Sequence, residues 1–421
     1  MDFMIIKTIN ICILIFSFYQ TFVFSKYKKY KSIATLSFFW SLVLFFGIII
    51  NWELEINPIS TVFIFLNLSM FYLGFLISDP RSLKWHCEIT KKRFYLTSIL
   101  CMCIGIFLVF LLLRSVGLRL SMKPDELVAN AIQFSILRVV DPGLNTTFYS
   151  LTIYISLIPV MALAFMRENT AKTVFISALL PVCCTVLLSS KIIIFYYLCF
   201  LASVSSLNQN ARLDFRKFLS FKWIIITALL IILVVFSFSL REGYNDIFFW
   251  SERDKLFYLL RGYLIGPLFG FSEFVDSFTT YNLLSMNSEI QQQRDVLTFG
   301  AYTMPIFIPD PSVNVMYPNS VEQQGYIQTN LYSVFRPLLQ DFGMLGSSLY
   351  SLSIGVMLGI LTKIKLGKLD IVRAIMIMVL TAAVMFGYLM TPLASGTFIG
   401  IFAFGCIVLS IFVVNKKGVN V

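Results

Sequence analysis

Apolar residues fall along this 421-residue chain in long unbroken runs, not in the strict alternation or the three-to-four spacing of a soluble fold. Eleven runs stand out, at about 8–24, 33–50, 58–78, 95–113, 147–166, 173–189, 192–207, 223–240, 344–361, 374–390 and 393–414. Their lengths lie near the ~20 residues that a helix needs to cross the hydrocarbon core of a bilayer. Pro159 and Pro181 interrupt two of them, which membrane helices tolerate. The first run does not read as a secretory signal. It ends in Val23, Phe24 and Ser25 with no small-residue cleavage site, and Lys26, Lys28, Lys29 and Lys31 follow it, whereas a signal carries its charge in front. The pattern predicts an all-α polytopic membrane protein of about eleven transmembrane helices. Residues 1–240 form spans one to eight, 241–343 a large polar loop, and 344–421 spans nine to eleven.

Charge in the connecting segments sets the expected orientation. Segments 25–32, 79–94, 167–172, 208–222, 362–373 and 415–421 share one side and hold 21 of the 33 Lys and Arg but only five acids. The opposite set (the N-terminus, 51–57, 114–146, 190–191 and 241–343) holds the other 12 basic residues and 17 acids. The positive-inside rule places the first set in the cytoplasm, so the N-terminus faces out and the C-terminus in. The net charge of +11 is then a consequence of topology. No basic–aromatic motif for nucleic acid accompanies it, and no nucleic-acid partner is expected.

Composition narrows the class further. The chain is 58% hydrophobic and 13% charged, and its mean hydropathy is +0.83. A soluble enzyme, a disordered protein and a disulfide scaffold are excluded by those values. The eight cysteines include no CxxC pair, so a zinc ribbon or thioredoxin-like motif has no basis. His86 is the only histidine, which excludes HExxH and every two-histidine metal site. Cytoplasmic segments are short and no GxxxxGK[ST] loop occurs, so chemistry belongs on the outer side.

Two outer segments are long enough to build a site. In 125–140, Val128, Ile132, Ile136 and Val139 share a helical stripe, suited either to a helix on the membrane surface or to a connector against the bundle. In 241–343, a helix is expected over 251–265, broken at Gly266-Pro267 and followed by a second helix. Arg253, Phe257 and Arg261 share one side of the first piece, and Glu273 and Asp276 a face of the second. Prolines 305, 309, 311 and 318 then stiffen an irregular stretch.

The stretch TNLYSVFRPLLQDFGMLG (329–346) resembles the signature that ends the large outer loop of O-antigen polymerases, the Wzy-type oligosaccharide repeat unit polymerases. YLIGPLFGFSEFV (263–275) and LTFGAY (297–302) resemble two further stations of that loop. LLSSKIIIF (187–195) resembles the family's outward turn between two short spans, with Lys191 where Arg is common. The resemblance covers about a quarter of the chain. It implies a lipid-donor type glycosyltransferase of the bacterial inner membrane with its active site facing the periplasm. Donor and acceptor are oligosaccharides on undecaprenyl pyrophosphate, and no cofactor is needed. A chain-length regulator and a flippase are implied as partners.

That reaction needs pyrophosphate held at the membrane surface. Arginine suits the task, because its fork binds phosphate oxygens bidentately and stays charged. The outer candidates are Arg241, Arg253, Arg261, Arg294, Arg336 and Lys191, of which Arg241, Lys191 and Arg336 sit closest to span ends. Arg241 and Lys191 can equally be snorkelling anchors, Arg261 a solvated helix face, and Arg336 a tie within the loop. Asp341 is the candidate general base, with N-capping as its rival role; Glu273 and Asp276 are alternatives. Asn330 can contact substrate or cap a short helix. Tyr263, Tyr326 and Tyr332 can stack on sugars or simply sit at the interface. Glu53/Glu55 and Glu252/Asp254 have the spacing of a divalent-metal pair but also read as interfacial and helix charges, so no metal is expected.

Competing readings are a ligase that moves finished polymer onto lipid A core, and a lipid-linked oligosaccharide flippase or other transporter. The ligase family usually carries a histidine in the large outer loop, and this loop has none. A flippase needs charges inside its spans and commonly a two-half repeat, which this pattern lacks.

Overall fold

The computed structural model describes residues 3–50, 55–81, 87–118, 146–166, 169–188, 190–207, 265–279, 321–323, 327–329, 333–364, 370–387 and 397–415, with positions 52, 129, 133 and 134. These residues are mostly helical. Helices α1 (Phe3–Ser25), α2 (Lys31–Phe45), α3 (Pro58–Ile77), α4 (Lys91–Ser115), α5 (Thr146–Ala162), α6 (Ala171–Leu187) and α7 (Lys191–Leu207) follow one another along the first half. Then come α8 (Gly266–Thr279), α9 (Phe335–Lys363), α10 (Asp370–Phe386) and α11 (Thr397–Phe412). Ten of the eleven apolar runs thus lie on helices, and run 223–240 lies outside the described residues.

Six of the described helical stretches are long and apolar enough to cross a membrane: Met4–Ser25, Lys31–Ile49, Pro58–Ile77, Lys91–Ser115, Thr147–Phe165 and Phe335–Lys363. Lys172–Leu187, Ile192–Leu207 and Thr397–Phe412 are shorter apolar helices. Large apolar side chains stand on the outer faces of these helices, among them Ile15, Phe16 and Phe22 of α1, Ile99 and Phe107 of α4, and Ile407 and Ile411 of α11. A band of that kind is what lipid covers.

Helix starts are written locally. The Asn57 side chain accepts from the Ile59 amide at 2.8 Å, and Pro58 occupies the first helical position of α3, where its missing N–H is harmless. Thr90 caps α4 and Thr170 closes a capping box with Thr173 at α6. α2 ends in a π-helical turn, Phe46–Ile50.

The chain divides into two compact units, each drawn from separate stretches. Unit 1 comprises Met1–Leu83, Phe257–Ile364 and Ala383–Gly396. Its most extensively packed helix pair among the described elements is α3 with α9. A Cβ on Gly74 would strike the Leu352 carbonyl, one on Gly355 the Phe71 carbonyl, and one on Gly359 the Ser78 hydroxyl. Gly355 and Gly359 form a GxxxG step, so the two backbones touch as in membrane helix dimers. Ser351 Oγ donates to Asn67 Oδ1 at 2.9 Å in the same seam. Between α1 and α2, Ser17 and Ser41 hydroxyls pair at 2.7 Å and Thr21 and Ser37 at 2.8 Å.

Unit 2 comprises Lys84–Leu256, Lys365–Ala382 and Thr397–Val421. Here close approach is between helix and side chain: Gly105 receives Leu180, Gly400 receives Tyr154, and Gly405 receives Met161. Tyr196 and Phe398 meet edge to face at 5.3 Å, and Ser203 Oγ donates to the Met378 carbonyl at 3.0 Å. A two-residue strand, β1 (Cys87–Glu88), pairs antiparallel with β2 (Val414–Asn415). Arg373 and Asp370 form a buried ion pair at 3.2 Å in the first turn of α10. The β1–β2 pairing joins two segments that loop charge assigns to the same side.

One boundary differs from the sequence pattern. α9 begins at Phe335, not near 344, so the end of the polar loop is already helical. The helix is continuous only by hydrogen bonding. Gly343 has φ 62° and ψ −171°, a conformation open essentially to glycine, and it separates an eight-residue piece from the span proper. The glycine makes the break, while the apolar run records only the part beyond it.

Candidate functional site

In unit 1, the loop returns to the membrane helices through α8 and the first piece of α9. α8 starts at Gly266 with Pro267 in its first turn, and Ile265, Leu268, Phe269, Phe271 and Val275 are buried. Leu268 lies over Gly47, in the π turn that ends α2, where a Cβ would collide with it. Ser272 Oγ accepts from the Asn57 amide at 2.7 Å, which ties α8 to the start of α3.

Phe335 is the hub. Its ring lies 5.4 Å from Trp40, 6.2 Å from Phe63 and 6.1 Å from Phe271, and Phe63 and Phe271 meet at 5.7 Å. Rings at these spacings interact beyond the value of the area they bury. The next residue, Arg336, is partly exposed, and its guanidinium carbon stands 4.4 Å from the centroid of the Phe274 ring. Cation–π contact of this kind contributes about 1 kcal/mol. Stretches 263–275 and 329–346, far apart in sequence, therefore meet at Arg336.

Asp341 is on the same short piece of α9, five residues on. Five residues turn a helix by about 140°, so Asp341 and Arg336 face different ways. Asp341 is fully buried at 0% exposure and is engaged by neighbouring groups. It lies in the last turn before Gly343, not ahead of a helix as an N-cap. Ser347 bridges the break: its hydroxyl donates to the Leu338 carbonyl at 2.8 Å and is also hydrogen-bonded to the Gly343 carbonyl. Val334 donates its amide to the Gly387 carbonyl at 2.7 Å, which anchors the start of α9 to the end of α10.

The remaining candidates divide by position. Lys191 is the first residue of α7, and only its backbone is described. Glu273 is on α8, half-buried and engaged by neighbours; Asp276 is on the same helix with its side chain outside the described residues. Arg241, Arg253, Arg261, Tyr263, Arg294, Tyr326, Asn330, Tyr332, Glu53, Glu252 and Asp254 lie outside the described residues. So do all but the last residue of the helix expected over 251–265, most of 125–140, and His86. Among the described residues no three His, Cys, Asp or Glu side chains gather in a metal-binding cluster.

Some features of the site escape the sequence pattern. Phe271 and Phe274 fall on the second helix expected after Gly266-Pro267, but their contacts with Phe335 and Arg336 appear only when α8 docks. Lys7 counts only as an N-terminal charge, yet its side chain is 2% exposed and its ammonium lies 5.0 Å from the Trp52 ring centroid. Glu55 acts on that same ammonium. Ser333, three residues before Arg336, is also buried. Comparison with protein-family models, with curated proteins and with solved structures finds no significant match to this chain.

Proposed function

We propose that the protein polymerises oligosaccharide repeat units carried on undecaprenyl pyrophosphate, at the periplasmic face of a bacterial inner membrane. The observation that carries the reading is the meeting of stretches 263–275 and 329–346, both similar to stations of the polymerase loop, through Arg336 over Phe274. The polytopic helical fold, with six stretches able to cross a membrane, agrees with a lipid-linked substrate.

In this reading a hydroxyl oxygen of the acceptor sugar attacks the anomeric carbon of the donor. The bond from that carbon to the pyrophosphate oxygen breaks, the hydroxyl proton passes to a base, and the lipid pyrophosphate leaves. Charge builds on the leaving group, so a fixed cation beside it lowers the barrier. Arg336 supplies that cation, held in place by the Phe274 ring and by the aromatic packing of Phe335. Arg241 and Lys191 are further candidates for the lipid pyrophosphate. Arg261, Asn330, Tyr332 and Tyr263 are candidates for the saccharide. Asp341 was expected as the base; its full burial favours a role in holding the first piece of α9, so the proposal rests on Arg336.

The test is deletion of the gene in its source bacterium followed by electrophoresis of extracted lipopolysaccharide. Loss of the ladder with core bearing a single repeat unit is the expected outcome. Loss of that single unit as well transfers the assignment to ligation or export, and an unchanged ladder removes O-antigen polymerisation.

A further inference from the structure

Among the described residues, none uses the hydroxyl of Ser333. The residue is 1% exposed, and its Oγ has no hydrogen-bond partner among them. A buried hydroxyl in that state has lost water without gaining a replacement, which destabilises the fold. A serine just ahead of a helix normally escapes this by capping, but here the residue flanking α9 is Val334 and no side-chain cap bond forms. Alanine would fill the position without an unsatisfied hydroxyl, so the hydroxyl calls for a partner that comes from outside the protein.

Its surroundings say what kind of partner. Ser333 is one turn from Arg336, whose amide donates to the Ser333 carbonyl at 3.2 Å. Leu338 donates its amide to the Val334 carbonyl at 3.1 Å, and Pro337 has no N–H at all. The first turn of α9 therefore offers few backbone donors. Among the described residues, the Arg336 guanidinium and the Ser333 hydroxyl are side-chain donors at this turn. A cation and a hydroxyl one backbone turn apart, at the positive end of a helix, match a phosphoryl oxyanion.

We propose that Ser333 is a substrate-binding residue whose hydroxyl donates to the same phosphoryl group that Arg336 holds. The inference rests on the reading of Arg336 given above and adds a specific second donor to it. Since Ser333 is covered, binding includes a local opening of the turn, and the hydroxyl passes from an unsatisfied state to a bonded one.

The role is tested on purified full-length protein in nanodiscs, with thermal unfolding read with and without inorganic pyrophosphate and, separately, farnesyl pyrophosphate. Wild type, Ser333→Ala and Arg336→Gln are compared. The expected result is stabilisation of wild type by a pyrophosphate ligand, an apparent affinity about tenfold or more weaker in Ser333→Ala, and an unliganded Ser333→Ala midpoint equal to or above wild type. A structural serine gives the opposite sign: a lowered unliganded midpoint with unchanged affinity, which overturns the proposal. Equal affinity of wild type and Ser333→Ala overturns it while leaving the polymerase reading to the ladder experiment. No response of wild type to either ligand also overturns it. Stabilisation by farnesyl pyrophosphate alone assigns the phosphoryl group to a lipid; stabilisation by both assigns it to the pyrophosphate itself.

Discussion

On one side of Gly343, α9 meets its neighbours through aromatic rings and an arginine; on the other it meets α3 backbone to backbone. The first piece holds Phe335, Arg336 and the buried Asp341, with Trp40, Phe63, Phe271 and Phe274 around it. The second carries Ser351, Gly355 and Gly359 against Phe71, Gly74 and Ser78. In lipid, apolar side chains gain little by leaving one greasy environment for another, so the second piece is held by close packing and interhelical hydrogen bonds. The first piece is held by bulky rings gathered around one residue, an arrangement that leaves a cation at its edge. Close backbone packing is concentrated in one piece, and the cation on which the proposed function rests in the other.

The comparison predicts effects of different kind and size. The largest is Gly355→Leu, which drives a side chain into the Phe71 carbonyl and parts α3 from α9. A loss of about 4 kcal/mol or more is expected, read as failure to recover a monodisperse protein from the membrane. Normal yield and an unchanged unfolding midpoint would show that the seam is not the foundation of unit 1. Arg336→Ala comes next and acts on the other side. Polymer formation should fall by about 10² to 10³-fold with little change in yield, and Arg336→Lys should recover only part of it, because an ammonium lacks the planar fork. An active Arg336→Ala protein would remove the cation from the mechanism. The smallest is Gly343→Ala, which forces a β-carbon into a conformation reserved for glycine. It should cost about 1–3 kcal/mol in thermal unfolding and weaken activity together with stability. A gain in stability would mean that the two pieces can join as one straight helix and that the break is not needed.

Much of this fold is written locally. Ten apolar runs coincide with helices because span length follows from bilayer thickness, and bilayer thickness is the same for every span. Asn57-Pro58 and Thr170–Thr173 announce helix starts because capping involves residues within one turn. Arg336 was legible as a candidate because a lone arginine near a span end is conspicuous in an apolar chain. Its neighbour Phe274 was not, since the contact closes a gap of more than sixty residues that no periodicity bridges.

Asp341 and Ser333 make the same point through burial. An acid near a helix start reads as a cap or a base, and a serine between Tyr332 and Val334 carries no signal of its own; only packing around each decides whether water reaches it. The glycine seam is similar. Gly355 and Gly359 have the right spacing on paper, but Gly74 and the Phe71 carbonyl of another helix supply the reason for it. Hydrophobic thickness, charge asymmetry and caps are properties of neighbouring residues, and the chain states them directly. Which helix faces which, and so which hydroxyl is left without a partner beside which arginine, follows from contacts between distant segments and exists only in the folded protein.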